Sequence, residues 1–114
     1  MAGDRMRRIN GALREVLSER ITGDLKDPRI GFVTVTAVET SPDLTHARVF
    51  VSVLGDEDER AGSLEGLRSS AGHLQAGLAG AVRMKRTPQL EFVHDESIDR
   101  GMRIAELLDD GSDR

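Results

Sequence analysis

The stretch SLEGLRSSAGHLQAGLAGAVRMKRTPQLEF, Ser63 to Phe92, decides how this chain folds. Apolar residues recur at Leu64, Leu67, Ala71, Leu74, Leu78 and Val82, in steps of three and four. At about 100° per residue this spacing places one apolar stripe on one side of a helix. Gly72 interrupts the pattern, and glycine inside a helix costs about 1 kcal/mol relative to alanine. The sequence therefore predicts a bend, or a close approach by another molecule, at Ser70-Ala71-Gly72. Leu74, Leu78 and Val82 stay in phase across Gly77 and Gly80, so those two glycines read as helical, and Gly66 reads as a tolerated surface glycine. Gly72, Ala76, Ala79 and Arg83 share the face away from the stripe. That face is small and smooth, and it becomes basic where Arg83-Met84-Lys85-Arg86 closes the helix.

Outward from this segment, Pro88 leads into a strand over Gln89–His94. Upstream, Thr45–Leu54 alternates, with Ala47, Val49, Val51 and Val53 on one side and Arg48, Phe50 and Ser52 on the other, which is the period of a half-buried strand. Phe32–Glu39 is dense in valine and threonine. Its alternation slips between Val35 and Val38, which predicts a bulge. Ser41-Pro42-Asp43 and Lys26-Asp27-Pro28-Arg29 read as turns. An N-terminal helix carries Met6, Ile9, Leu13, Val16, Leu17 and Ile21 on one stripe and stops at Gly23. Arg7 and Arg14 project together away from that stripe, with Arg8 at its flank. A short last helix is expected over Ile98–Leu108 with Ser97 as its N-cap, then a disordered acidic tail over 109–114.

The order is helix, strand, strand, interrupted helix, strand. It predicts an α+β domain: one three-stranded sheet, helices on one face, and a right-handed crossover that sets the third strand parallel to the second. Phe32, Phe50 and Phe92 read as core residues rather than stacking platforms.

The chain has 114 residues, 38% of them hydrophobic and 32% charged, which suits one globular domain over 1–108. The lack of cysteine excludes disulfides and thiolate metal sites and fits a reducing cytoplasm. No apolar run reaches membrane-spanning length. The net charge is −4, but its distribution matters more than its sum. Asp56-Glu57-Asp58-Glu59 reads as one acidic loop, and Glu106, Asp109, Asp110 and Asp113 lie at the C-terminal end. With these eight set aside, 12 of the 20 acidic residues remain against 16 basic ones, so the body of the domain is basic enough for a polyanionic partner.

No constellation supports catalysis, a cofactor or a small-molecule substrate. His46, His73 and His94 lack ligand spacing, and His94-Asp95-Glu96 reads as a strand end with a polar turn. No serine sits in a nucleophile elbow, and Gly72–Gly80 lacks the Gly-Lys-Ser/Thr of a phosphate-binding loop. Gly77-Leu78-Ala79-Gly80 matches the GxxG loop of KH RNA-binding domains, but the unbroken stripe places it inside a helix. Two rival readings follow from these residues: a generic single-stranded RNA binder with a true loop at Gly77–Gly80, and a protein-interaction module that uses the mixed sheet face without RNA.

Several segments together resemble a known family. They are Lys26-Asp27-Pro28-Arg29-Ile30-Gly31, Val38-Glu39-Thr40-Ser41-Pro42-Asp43-Leu44 with Ala47-Arg48-Val49-Phe50-Val51, Pro88-Gln89-Leu90-Glu91-Phe92, and Asp95-Glu96-Ser97-Ile98 with Gly101-Met102-Arg103-Ile104. In order and spacing they resemble ribosome-binding factor A, a family of bacterial small-subunit maturation factors, over residues 5–108. The resemblance implies a type II KH-like fold in which an Ala-x-Gly kink replaces the GxxG loop. That kink maps onto Ser70-Ala71-Gly72, with Ser70 where alanine is usual. It also implies a non-catalytic monomer that binds the small (30S) ribosomal subunit and its 16S rRNA late in maturation, with importance at low temperature. The expected RNA-binding residues are Arg7, Arg8 and Arg14 on the first helix, Ser70, Ala71 and Gly72 at the kink, and Arg83, Lys85 and Arg86 beyond it.

Overall fold

A computed structural model of the chain describes residues 2–23, 25–82 and 84–96. Helix α1 (Ala2–Gly23) is followed by strands β1 (Val33–Thr40) and β2 (His46–Val53), helices α2 (Glu57–Ser69) and α3 (Ala71–Ala81), and strand β3 (Gln89–His94). The sheet order is β1-β2-β3, with β1 antiparallel and β3 parallel to β2. The mixed α+β architecture expected from the sequence is therefore present. The helix expected over Ile98–Leu108, its Ser97 cap and the tail over 109–114 lie outside the described residues, as does Arg83.

Alternation builds the core. Ala47, Val49, Val51 and Val53 of β2, Leu90 and Phe92 of β3, and Val35 and Val38 of β1 are all buried. The two β1 valines reach the same face across an odd spacing because the β1–β2 register shifts between Val35 and Ala37. The extra residue of this bulge is Thr36, whose hydroxyl donates to the Phe50 carbonyl at 3.3 Å and to Asp95 Oδ2 at 2.6 Å. Leu13, Leu17 and Ile21 of α1 and Leu67, Leu74 and Leu78 of α2 and α3 close the core from the helix side. Fully burying a leucine contributes about 1.5–3 kcal/mol, so these six hold the helices on the sheet.

Five sequence expectations need correction. The acidic run is not a loop: Asp56 is the N-cap of α2, and Glu57, Asp58 and Glu59 form its first turn. Asp56 Oδ1 accepts from the Glu59 N–H at 2.8 Å, and Glu59 reaches back to the Asp56 N–H, a reciprocal cap that satisfies two orphan donors while the carboxylates favour the positive end of the helix dipole. The interruption falls at Ser70 rather than Gly72. Ser70 has φ −92° and ψ 0°, its N–H bonds to the Gly66 and Leu67 carbonyls at 3.1 Å each, and its own carbonyl takes the Leu74 N–H at 3.0 Å. One residue thus ends α2 and starts α3, and Gly72 is helical, as are Gly77 and Gly80. The loop required by the rival KH reading is a helix. Gly66 is buried, and a Cβ there would lie 2.7 Å from Ile30 Cγ1, so it is a packing glycine. Phe32 is 79% exposed; it precedes the first residue of β1, and its carbonyl accepts from the N–H of the solvent-facing Leu54 at 3.0 Å. Phe92 is buried as expected, while Phe50 is half-buried on the face of the sheet away from the helices.

Candidate nucleic-acid interface

Helix α3 ends at Ala81, where Val82 turns extended with φ −120° and ψ 127°. The basic run expected at the helix end therefore lies in the connection to β3, and Lys85 and Arg86 are exposed there. This connection lies against α1. Arg5, Arg8, Ile9 and Ala12 of α1, Val82, Met84 and Lys85 of the connection, and Leu44 of the β1–β2 turn line one cavity of about 440 Å³. Further along, the Arg20 guanidinium crosses Gly77 so closely that a Cβ there would be 3.1 Å from Arg20 Cζ. The two contacts show that α3 runs back along α1.

That antiparallel arrangement sorts the residues expected in an interface. Arg8 and Lys85 come together at the cavity, although most of the chain separates them in sequence. Arg7 and Arg14 stay exposed on α1, two turns apart. Ser70, Ala71 and Gly72 lie at the opposite end of α3, about 16 Å away at 1.5 Å per residue. Arg5 was missed in the sequence, yet it precedes Arg8 by three residues, a spacing that shares a helix face. Leu44 gave no sequence signal. It is drawn to the cavity by a turn in which Asp43 Oδ1 accepts from the Ser41 hydroxyl at 2.7 Å, the Thr45 N–H at 3.1 Å and the Thr45 hydroxyl at 2.8 Å. These bonds, the Ser41 hydroxyl foremost, hold the Asp43 carboxyl down at about 2.

The electrostatics separate two kinds of cation. Arg29 is clamped by Asp27 at 2.7 Å and Glu65 at 3.2 Å, and its hydrogen bonds hold the Asp27 carboxyl at about 2. Arg68 donates to the Phe92 carbonyl at 3.2 Å, and Arg48 lies 3.9 Å from Glu91. In contrast, no carboxylate among the described residues pairs with Arg5, Arg7, Arg8, Arg14, Lys85 or Arg86. An unpaired surface cation costs the fold little, and a row of them is a ready counter-surface for phosphates. The N-terminus of α3 has a similar character: it has no side-chain cap and no acidic residue in its first turn. A Cβ at Gly72 or Gly80 would meet nothing within 4 Å, so packing inside the protein does not explain either glycine.

Relatives place the chain in a family. The chain is 45% identical to ribosome-binding factor A of Halothermothrix orenii over 108 residues, which cover 95% of this chain and 88% of that one. It is likewise 45% identical to that of Heliobacterium modesticaldum, over 95% and 89% of the two chains. The crystal structure of ribosome-binding factor A from Thermus thermophilus superposes with a TM-score of 0.71 at 36% identity, covering 78% of this chain and 93% of that one. A model of the Thermus thermophilus protein, fitted into a cryo-electron microscopy map of a 30S complex, superposes at 0.64 with 37% identity over 76% and 91%. The family model for ribosome-binding factor A matches residues 5–108, and the chain therefore belongs to the ribosome-binding factor A family.

Proposed function

We propose that this protein binds the small ribosomal subunit in the bacterial cytoplasm, grips 16S rRNA during late maturation, and catalyses no reaction. Arg7, Arg8, Arg14, Lys85 and Arg86 contact phosphates, joined by Arg5 and by Arg83. Ser70, Ala71 and Gly72 let a strand of RNA approach the uncapped start of α3, where backbone N–H groups and the helix dipole favour an anion. The break at Ser70 takes the place of a GxxG loop in a KH-like domain. The observation that carries the reading is the set of cations on α1 and the α3–β3 connection that have no carboxylate partner among the described residues. The relative fitted to the 30S complex supports the choice of partner.

Phosphate contacts steer and hold without reading sequence, and each lowers the log–log salt slope by about 0.7–0.9. Co-sedimentation of the tagged chain with separated subunits, repeated across a salt series, tests the reading. Binding to the small subunit alone, weakening steeply with salt, is the expected result. Binding that ignores salt would point instead to a protein contact.

A further inference from the structure

We propose that the cavity between α1, the β1–β2 turn and the α3–β3 connection captures one unpaired base of the ribosomal RNA, everted from its strand. This deepens the RNA-binding reading and rests on it. The cavity pairs two chemistries that few ligands share. Ile9, Ala12, Leu44, Val82 and Met84 give it an apolar lining, and Arg5, Arg8 and Lys85 stand among them. A nucleotide within a strand has the same two parts: a flat ring system and a phosphate on either side. At about 440 Å³ the cavity lies within the range of small-ligand sites and has room for a purine or a pyrimidine.

The chemistry of the lining favours a base over an aliphatic side chain. A thioether packs well against an aromatic ring, and guanidinium planes stack on bases. None of the three phenylalanines lines the cavity, so Met84 and the two arginines would supply the stacking. Leu44 is a second sign that the site is built. It is the one non-glycine among the described residues with a positive φ, at 62°. Such a conformation is strained for a branched apolar residue. The Asp43 hydrogen bonds hold it there, and the outcome is an apolar side chain in the cavity lining. Everting a base is least costly where it is already unpaired, so the target is a bulge, loop or single-stranded junction.

The test uses small subunits saturated with the full chain, with Ala12→Phe, which fills the cavity, or with Met84→Ala, which removes the thioether. Base-edge alkylating reagents read the Watson–Crick edges, and hydroxyl radicals read the backbone. The native chain is expected to protect the edge of one unpaired nucleotide about fivefold or more. Both variants should lose that protection while the backbone footprint persists. If Ala12→Phe does not fold, Met84→Ala decides alone. Equal base reactivity with the native and variant chains would overturn the inference. So would loss of subunit binding by the variants with no change at any base edge, the pattern of an acidic peptide in the cavity. Saturable micromolar binding of free AMP or UMP, measured by calorimetry, would also overturn it, because the site would then serve a soluble nucleotide. A native chain that leaves no backbone footprint marks the failure of the RNA reading itself.

Discussion

The two ends of the helix layer treat charge in opposite ways. At one end, the Lys26–Gly31 turn is stitched to α2. Arg29 is clamped between Asp27 and Glu65, and the buried Ser63 hydroxyl accepts from the Gly31 N–H at 3.0 Å and donates to the Arg29 carbonyl at 3.3 Å. Ile30 lies against Gly66. At the other end, Arg5, Arg8 and Lys85 surround an apolar cavity with no carboxylate partner among the described residues. The first end uses its polar groups to hold the fold. The second leaves them for a partner. Stability and binding should therefore separate by location.

The sharpest break of that comparison is charge reversal. Arg7→Glu, Arg14→Glu and Lys85→Glu combined should lower small-subunit affinity by roughly tenfold or more and flatten the salt slope by about 2–3 units. Thermal stability should move by about 0.5 kcal/mol per site or less. Arg48→Ala, which removes only an exposed pair, is the control and should leave affinity unchanged. Co-sedimentation across salt, with melting curves, reads both. Equal losses in the triple variant and the control would erase the distinction between the two ends.

A smaller effect comes from the same substitution at two glycines. Gly66→Ala forces a Cβ onto Ile30, and overpacking costs about 1–3 kcal/mol against a helix gain near 1 kcal/mol. A net loss of up to about 2 kcal/mol in chemical denaturation is expected, with subunit affinity intact. Gly80→Ala meets open space and should instead stabilise by about 0.5–1 kcal/mol. Stabilisation at both positions would mean that the turn does not bear on α2.

The smallest effect is acid titration of the stitched end. Asp27 at that end, like Asp43 in the β1–β2 turn at the cavity end, has its folded pKa lowered from 3.8 to about 2. The stability each contributes is thus complete above the ordinary carboxylate range and is lost as the pH falls from about 4 through about 2. Asp27→Asn should flatten the melting temperature over that window and leave it unchanged in slope near neutrality. A native-like acid slope in that variant would show that the Arg29 clamp does not couple to folding.

Much of the fold was legible because periodicity is a local property. The β2 alternation, the β1 slip at Thr36 and the α1 stripe each follow from residues close in sequence, and their burial matches. The acidic run was misread because four carboxylates look like a solvated loop until a helix start is placed beside them. Gly66 looked superficial because its neighbour, Ile30, is distant in sequence. Phe32 reads as core because hydrophobicity alone does not say where a strand begins, and this side chain falls one residue before β1.

The candidate site divides in the same way. Local sequence is enough to say which residues carry charge, that Arg7 and Arg14 share a helix face, and that the helical segment breaks within Ser70–Gly72. That α3 runs back along α1, so that Arg8, Lys85 and Leu44 line one cavity, comes from the packed fold alone. The packed fold also decided that Ser70–Gly72 lies at the far end of α3, because the α2–α3 break and the sheet crossover set the direction of that helix. The physical reason is range. Helical and strand periods act over a few residues, whereas the meeting of distant cations is fixed by how two amphipathic helices bury their stripes on one sheet.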